Sequence, residues 1–178
     1  MIGLSAAPLD AAALVRAVQS PAHGAVVTFL GTTRETSPDD PRPVAALEYE
    51  AYDAMAQPEM EAIAREACER FGPLEIAMAH RTGTVALGEP SVVVVVAAPH
   101  RGPAFEACRY AIDALKARVP VWKREIYRDG GAAWVANEVT SQGAPSGHPD
   151  GTTSVSAPAM GGTRAAGVGG AEPGAERR

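Results

Sequence analysis

The sequence predicts an α+β protein, a mixed sheet with helices packed on it. Three observations carry that expectation. Residues 92–98 (VVVVVAA) form a short, continuous apolar run, the mark of a central strand buried on both faces. Between residues 103 and 119, Phe105, Cys108, Ile112, Leu115 and Val119 recur at three- and four-residue steps, one stripe of a helix facing a core. The segments also run helix-strand-strand-helix-strand-strand-strand-helix-strand. Only some strands are followed by helices, so hairpins must make the other connections.

The elements can be justified in order. Residues 9–19 read as a short helix with Asp10 as its cap and Ala13, Leu14 and Val18 as its apolar side, broken by Ser20-Pro21. Residues 24–30 (GAVVTFL) form a strand able to be buried on both faces, leading into Gly31-Thr32-Thr33-Arg34-Glu35. Residues 36–43 (TSPDDPRP) are polar and proline-rich, hence a loop. Residues 44–52 alternate Leu47 and Tyr49 with Glu48 and Glu50, the pattern of a half-exposed strand. A second helix starts near Met55 or Pro58 and reaches Arg70, lined by Met60, Ile63, Ala64, Ala67, Cys68 and Phe71 and ended by Gly72-Pro73. Strands follow at residues 74–80 and 84–87, and then comes the valine run. Pro120 stops the third helix, residues 121–127 (VWKREIY) have strand composition, and residues 132–136 around Trp134 make a final strand.

Composition sets the outer bounds. The chain has 178 residues and 46% hydrophobic content, enough for one domain with a real core. From about Thr140 onward Gly, Ala, Ser, Thr and Pro dominate. Such a stretch cannot bury enough surface to offset its ordering entropy, so the expectation is a domain over residues 1–139 and a disordered tail over 140–178. No basic leader or long apolar run is visible, which predicts a soluble, cytoplasmic protein. Cys68 and Cys108 both sit on apolar helix stripes and read as buried thiols; no metal site and no cofactor is expected.

Charge locates the chemistry. Residues 100–124 hold six Lys or Arg against Glu106 and Asp113, a local +4 in a chain of formal net charge −5. A positive field on an acidic chain points to an anionic ligand and away from general nucleic-acid binding. Only two of the sixteen basic residues are lysines, Lys116 and Lys123. Arginine stays charged, whereas lysine can release a proton or act as a nucleophile, so lysine at these two positions points to chemistry. The alternative is a pair of solvated lysines. Gly31-Thr32-Thr33-Arg34 at a strand end reads as a corner able to hold an anion, glycine allowing close approach and arginine offering a planar fork. The motifs of serine hydrolases, P-loops, dinucleotide folds and zinc proteases are missing. A Cys108–His100 nucleophile pair is conceivable, but Cys108 belongs to a buried stripe.

The segments GAVVTFLGTTRE, LEYEAYDAMA, HRTG, HRGPAFEACRYAIDALKARVPVWKRE and DGGAAWV, in order across residues 24–136, resemble the large, catalytic subunit of molybdopterin synthase. That resemblance implies an α/β hammerhead-type fold and a homodimer within a heterotetramer. It also implies a small ubiquitin-like sulfur-carrier protein whose C-terminal Gly-Gly thiocarboxylate enters a pocket on this subunit. The implied reaction passes sulfur to cyclic pyranopterin monophosphate, making the molybdopterin dithiolene. By the same resemblance Lys116 and Lys123 are catalytic. Thr32, Thr33 and Arg34 hold the pterin, His100 and Arg101 the substrate phosphate, and Arg124 and Glu125 flank Lys123 in the binding site. The family pattern carries a basic residue soon after the Trp-Val pair, where this chain has Asn137 and Glu138. Two other readings stay open: a non-catalytic module for a ubiquitin-like tail or anionic metabolite, and a persulfide sulfurtransferase using Cys68 or Cys108.

Overall fold

A computed structural model describes residues 1–38 and 40–135. The expected domain boundary, the tail, and Asn137 and Glu138 lie outside the described residues.

The fold is α+β, with two four-stranded sheets where the sequence pointed to one. The first sheet has the order β1-β4-β6-β2, from β1 (Ile2–Ser5), β2 (Ala25–Thr32), β4 (Glu75–Arg81) and β6 (Pro90–Ala98). The second has the order β5-β3-β7-β8, from β3 (Val44–Ala51), β5 (Gly83–Ala86), β7 (Val121–Tyr127) and β8 (Ala132–Val135). Among the described strands only β1 and β4 pair in parallel. Strand β1 was missed in the sequence because four residues with a glycine among them carry almost no periodic signal.

Strand β6 is the spine. Every residue from Ser91 to Ala98 is buried, as its valine run requires. Its two faces feed two cores. Val92, Val94, Val96 and Ala98 pack with α2 (Asp53–Phe71) and α3 (Arg101–Arg118), whereas Val93, Val95 and Ala97 pack under α1 (Ala11–Val18) through Leu14 and Val18. Asp10 caps α1 as expected, its carboxylate accepting from the Ala13 N–H at 3.0 Å. Gly72 ends α2 at φ +92°, and its N–H donates to the Cys68 carbonyl at 3.1 Å.

Two expectations about faces are corrected. Strand β2 is not buried on both sides. It ends its sheet, and Val26 and Leu30 on one of its faces are 40% and 48% exposed. Phe105 does not belong to the buried face of α3, which is Ala104, Ala107, Cys108, Ala111, Ile112, Ala114 and Leu115; Phe105 is 63% exposed. One helical step of about 100° separates Phe105 from Ala104, enough to turn the larger side chain to the surface. Helix α2 begins earlier than expected, at Asp53, with Pro58 inside it. Among the described residues no helix is long and apolar enough to cross a membrane.

Candidate functional site

A cavity of about 370 Å³ opens where three segments converge: the end of β2, the C-terminal turn of α3, and the inner face of β3 and β7. Its size suits a small organic ligand. Each contribution follows from local structure. In β2 the ladder with β6 breaks register between Gly31 and Thr32, and such a bulge redirects the strand that carries it. A Cβ on Gly31 would lie 2.6 Å from Val92 Cγ1, so only glycine lets the wall close here. The chain beyond is pinned by Thr33, whose N–H donates to the Glu89 carbonyl at 3.0 Å while its carbonyl accepts from the Gly88 N–H at 2.8 Å. Arg34 then emerges exposed at the cavity, its Nε donating to the Thr36 carbonyl at 3.0 Å.

Helix α3 is stopped by Pro120, and its last turns set Leu115 in the wall and Lys116, exposed, at the opening. Strand β7 contributes by alternation. Lys123 and Glu125 share the face that lines the cavity, opposite Tyr49 and Leu47 of β3 in register. Glu125 is 4% exposed, and the Tyr127 hydroxyl donates to its Oε2 at 3.1 Å.

Of the residues singled out in the sequence, Thr32, Arg34, Lys116, Lys123 and Glu125 line this one cavity. The other four do not. Thr33 is 3% exposed and turned into the structure. Arg124 lies on the opposite face of β7, ion-paired with Glu48 and held against the Trp134 ring, 5.6 Å from its centroid. His100 stands at the N-cap position of α3 without a side-chain capping bond, and Arg101 is the helix's first residue. At 1.5 Å per residue the helix sets Arg101 about 22 Å from Lys116, too far to share a cavity within one chain.

His80 is the cavity residue that sequence reasoning passed over. It sits on β4 on the same face as Ile76 and Met78, and the signal was a polar side chain ending an otherwise apolar buried alternation. It is 6% exposed, its Nδ1 lies 2.8 Å from the Arg81 carbonyl, and its ring meets Tyr49 edge-on at 5.0 Å. Burial lowers its pKa and keeps the ring neutral. Burial likewise pushes the Tyr49 hydroxyl and the Cys68 thiol up, and the Cys108 thiol up to about 11. Among the described residues no three His, Cys, Asp or Glu side chains gather as metal ligands.

Comparison with known proteins places this geometry. The family model for the MoaE protein matches residues 4–118. The chain is 47% identical to the molybdopterin synthase catalytic subunit of Thermoplasma volcanium over 127 residues, which span 71% of this chain and 89% of that protein. It is 50% identical to the same subunit of Oryza sativa subsp. japonica over 129 residues, 72% of this chain and 65% of that longer protein. Its fold superposes on the X-ray crystal structure of molybdopterin synthase from Staphylococcus aureus with a TM-score of 0.71 at 32% identity, covering 75% of this chain and 96% of that one. It shares its fold with a chain in the complex of subunits 1 and 2 of molybdopterin-converting factor from Helicobacter pylori, at a TM-score of 0.63 and 23% identity over 77% and 91% of the two chains. The chain belongs to the MoaE family of molybdopterin synthase catalytic subunits.

Proposed function

We propose that this chain is a sulfurtransferase. In this reading it takes sulfur from the C-terminal thiocarboxylate of a small ubiquitin-like carrier and delivers it to cyclic pyranopterin monophosphate, building the molybdopterin dithiolene. The observation that carries the reading is the convergence of Arg34, Lys116 and Lys123, from three separate segments, on one cavity. Both reactants are anionic, and without fixed positive charge they would repel each other in a shared pocket. Arg34 supplies constant charge that stabilises negative charge developing on oxygen as the carbon–oxygen bond gives way to carbon–sulfur. A lysine can move the proton that exchange requires. Lys116, at the opening, takes the acid–base role next to the carrier's terminus, and Lys123, deeper on β7, positions the pterin. The division fails if Lys116→Ala keeps turnover while losing binding and Lys123→Ala does the reverse.

The cysteines support a carrier-borne sulfur. Cys108 is 4% exposed with its thiol pKa raised to about 11, the opposite of an activated nucleophile. The small partner is supported by the two-subunit Helicobacter pylori complex of the same fold. His100 and Arg101 enter this reading only from a second copy of the chain, and the edge strand β2, with Val26 and Leu30 exposed, is a surface such a copy could cover. The decisive test is reconstitution of the purified chain with thiocarboxylated carrier and cyclic pyranopterin monophosphate. Dithiolene product is expected, and product from neither transfer would refute the reading. Mixing inactive Lys123→Ala and His100→Ala chains should restore part of the turnover if copies share a site, and no restoration would remove His100 from it.

A further inference from the structure

The residues lining the cavity differ in burial and in chemistry. Arg34 and Lys116 are exposed at the opening and Lys123 is half-buried, whereas His80 and Glu125 are almost fully buried. Arg34 and Lys116 therefore face solvent, while the buried wall carries the acceptors of His80 and Glu125 beside Lys123 and the hydroxyls of Tyr49 and Ser91. At His80 the assignment follows from its partner. A carbonyl oxygen only accepts, so Nδ1, 2.8 Å from the Arg81 carbonyl, bears the proton. In a neutral ring that leaves Nε2 as a lone-pair acceptor. Glu125 has one oxygen engaged by the Tyr127 hydroxyl and a second that can accept. The edge-on Tyr49 ring fixes the imidazole plane.

We propose that His80 Nε2 and the Glu125 carboxylate form a floor that binds the N–H donor edge of the pterin, its 2-amino group and adjacent ring N–H. This rests on the pyranopterin reading above and deepens it. The phosphate stays toward the solvent-facing opening while the heterocycle enters donor edge first, and His80 becomes a specificity-determining residue. A ring carrying acceptors in place of those N–H groups would meet two acceptors with no proton between them, which a buried site rejects strongly.

Calorimetric titration of the full chain tests this with cyclic pyranopterin monophosphate, an analogue dimethylated on the 2-amino group, and inorganic phosphate. The variants are His80→Asn, which removes the acceptor at the Nε2 position, His80→Gln, which restores a carbonyl there, and Glu125→Gln as a second probe of the floor. Wild type should prefer the pterin over the dimethyl analogue by about tenfold or more, the worth of one buried hydrogen bond. His80→Asn and Glu125→Gln should each lose about tenfold in pterin affinity and most of that preference, with phosphate affinity unchanged. His80→Gln should stay within about threefold of wild type. Retained preference in His80→Asn would overturn the proposal, as would equal loss of phosphate affinity, which marks a structural prop. Wild type that binds phosphate but no pterin would instead overturn the pyranopterin reading, and the floor with it.

Discussion

Lys123 and Arg124 are neighbours in sequence with the same charge, yet the structure assigns them to opposite faces of β7, and replacing each with alanine separates the two roles. Arg124 forms an ion pair with Glu48, its Nε donating at 3.0 Å, with side chains 39% and 29% exposed. Exposure of that order screens the pair, so its worth is about 0.5 kcal/mol. The contact with Trp134 at 5.6 Å adds about 0.5 kcal/mol. Arg124→Ala should then cost about 1 kcal/mol, a fall in Tm of about 3–5 °C for a domain of this size. Dithiolene formation at saturating substrates should stay within about threefold, because nothing on that face reaches the cavity. Lys123→Ala should show the reverse pattern, a Tm within about 2 °C of wild type and turnover reduced at least about a hundredfold through lost positioning. Glu48→Ala combined with Arg124→Ala should cost little more than either change alone, since both remove the same pair. A tenfold loss of turnover in Arg124→Ala with an unchanged melt would refute the assignment of faces.

Other outcomes follow from the same coordinates. Burial holds the His80 pKa below its ordinary 6.5, so in the interval beneath 6.5 the unfolded chain binds the extra proton. Its contribution to stability is therefore complete above that pH and is lost as pH falls toward the folded value. Asp40 and Glu66, with carboxyl pKa values held at about 2 by Arg42 and Arg118, lose their contribution at lower pH, and equally in wild type and variant. His80→Gln should consequently lose less Tm than wild type between about pH 6.5 and 5, and parallel melting curves would contradict this. Replacing Cys68 and Cys108 together with alanine should leave turnover within about threefold, and loss of transfer would favour a persulfide route. Gly24→Ala sets a Cβ 2.7 Å from the Pro99 carbonyl oxygen, a backbone atom that cannot swing aside; it should cost about 1–3 kcal/mol, and an unchanged Tm would contradict the packing.

Much of this molecule was legible in its residues because local signals and burial agree. The valine run is best read as a central strand and is one, and the stripe from Cys108 to Leu115 reads as a helix face and is one. Convergence of Arg34, Lys116 and Lys123 was legible only through the family resemblance, since nothing local ties a loop, a helix end and a strand together. The division into two sheets was not legible, because pairing partners are chosen by contacts distant in sequence. The placement of Arg124 was readable and was overlooked. Strand alternation forbids adjacent residues from sharing a face, so Lys123 and Glu125 could line one cavity while Arg124 could not. The same alternation would have drawn attention to His80 behind Ile76 and Met78.

The central claim is that Lys116 moves a proton beyond holding charge while Lys123 positions the pterin, and converting both lysines to arginine tests it most directly. In a single-turnover reconstitution, Lys116→Arg combined with Lys123→Arg should keep carrier binding within about threefold while dithiolene formation falls by at least about a hundredfold, because arginine preserves the field and withholds the proton. Full product formation by the double variant would contradict the account and leave a cavity that only binds.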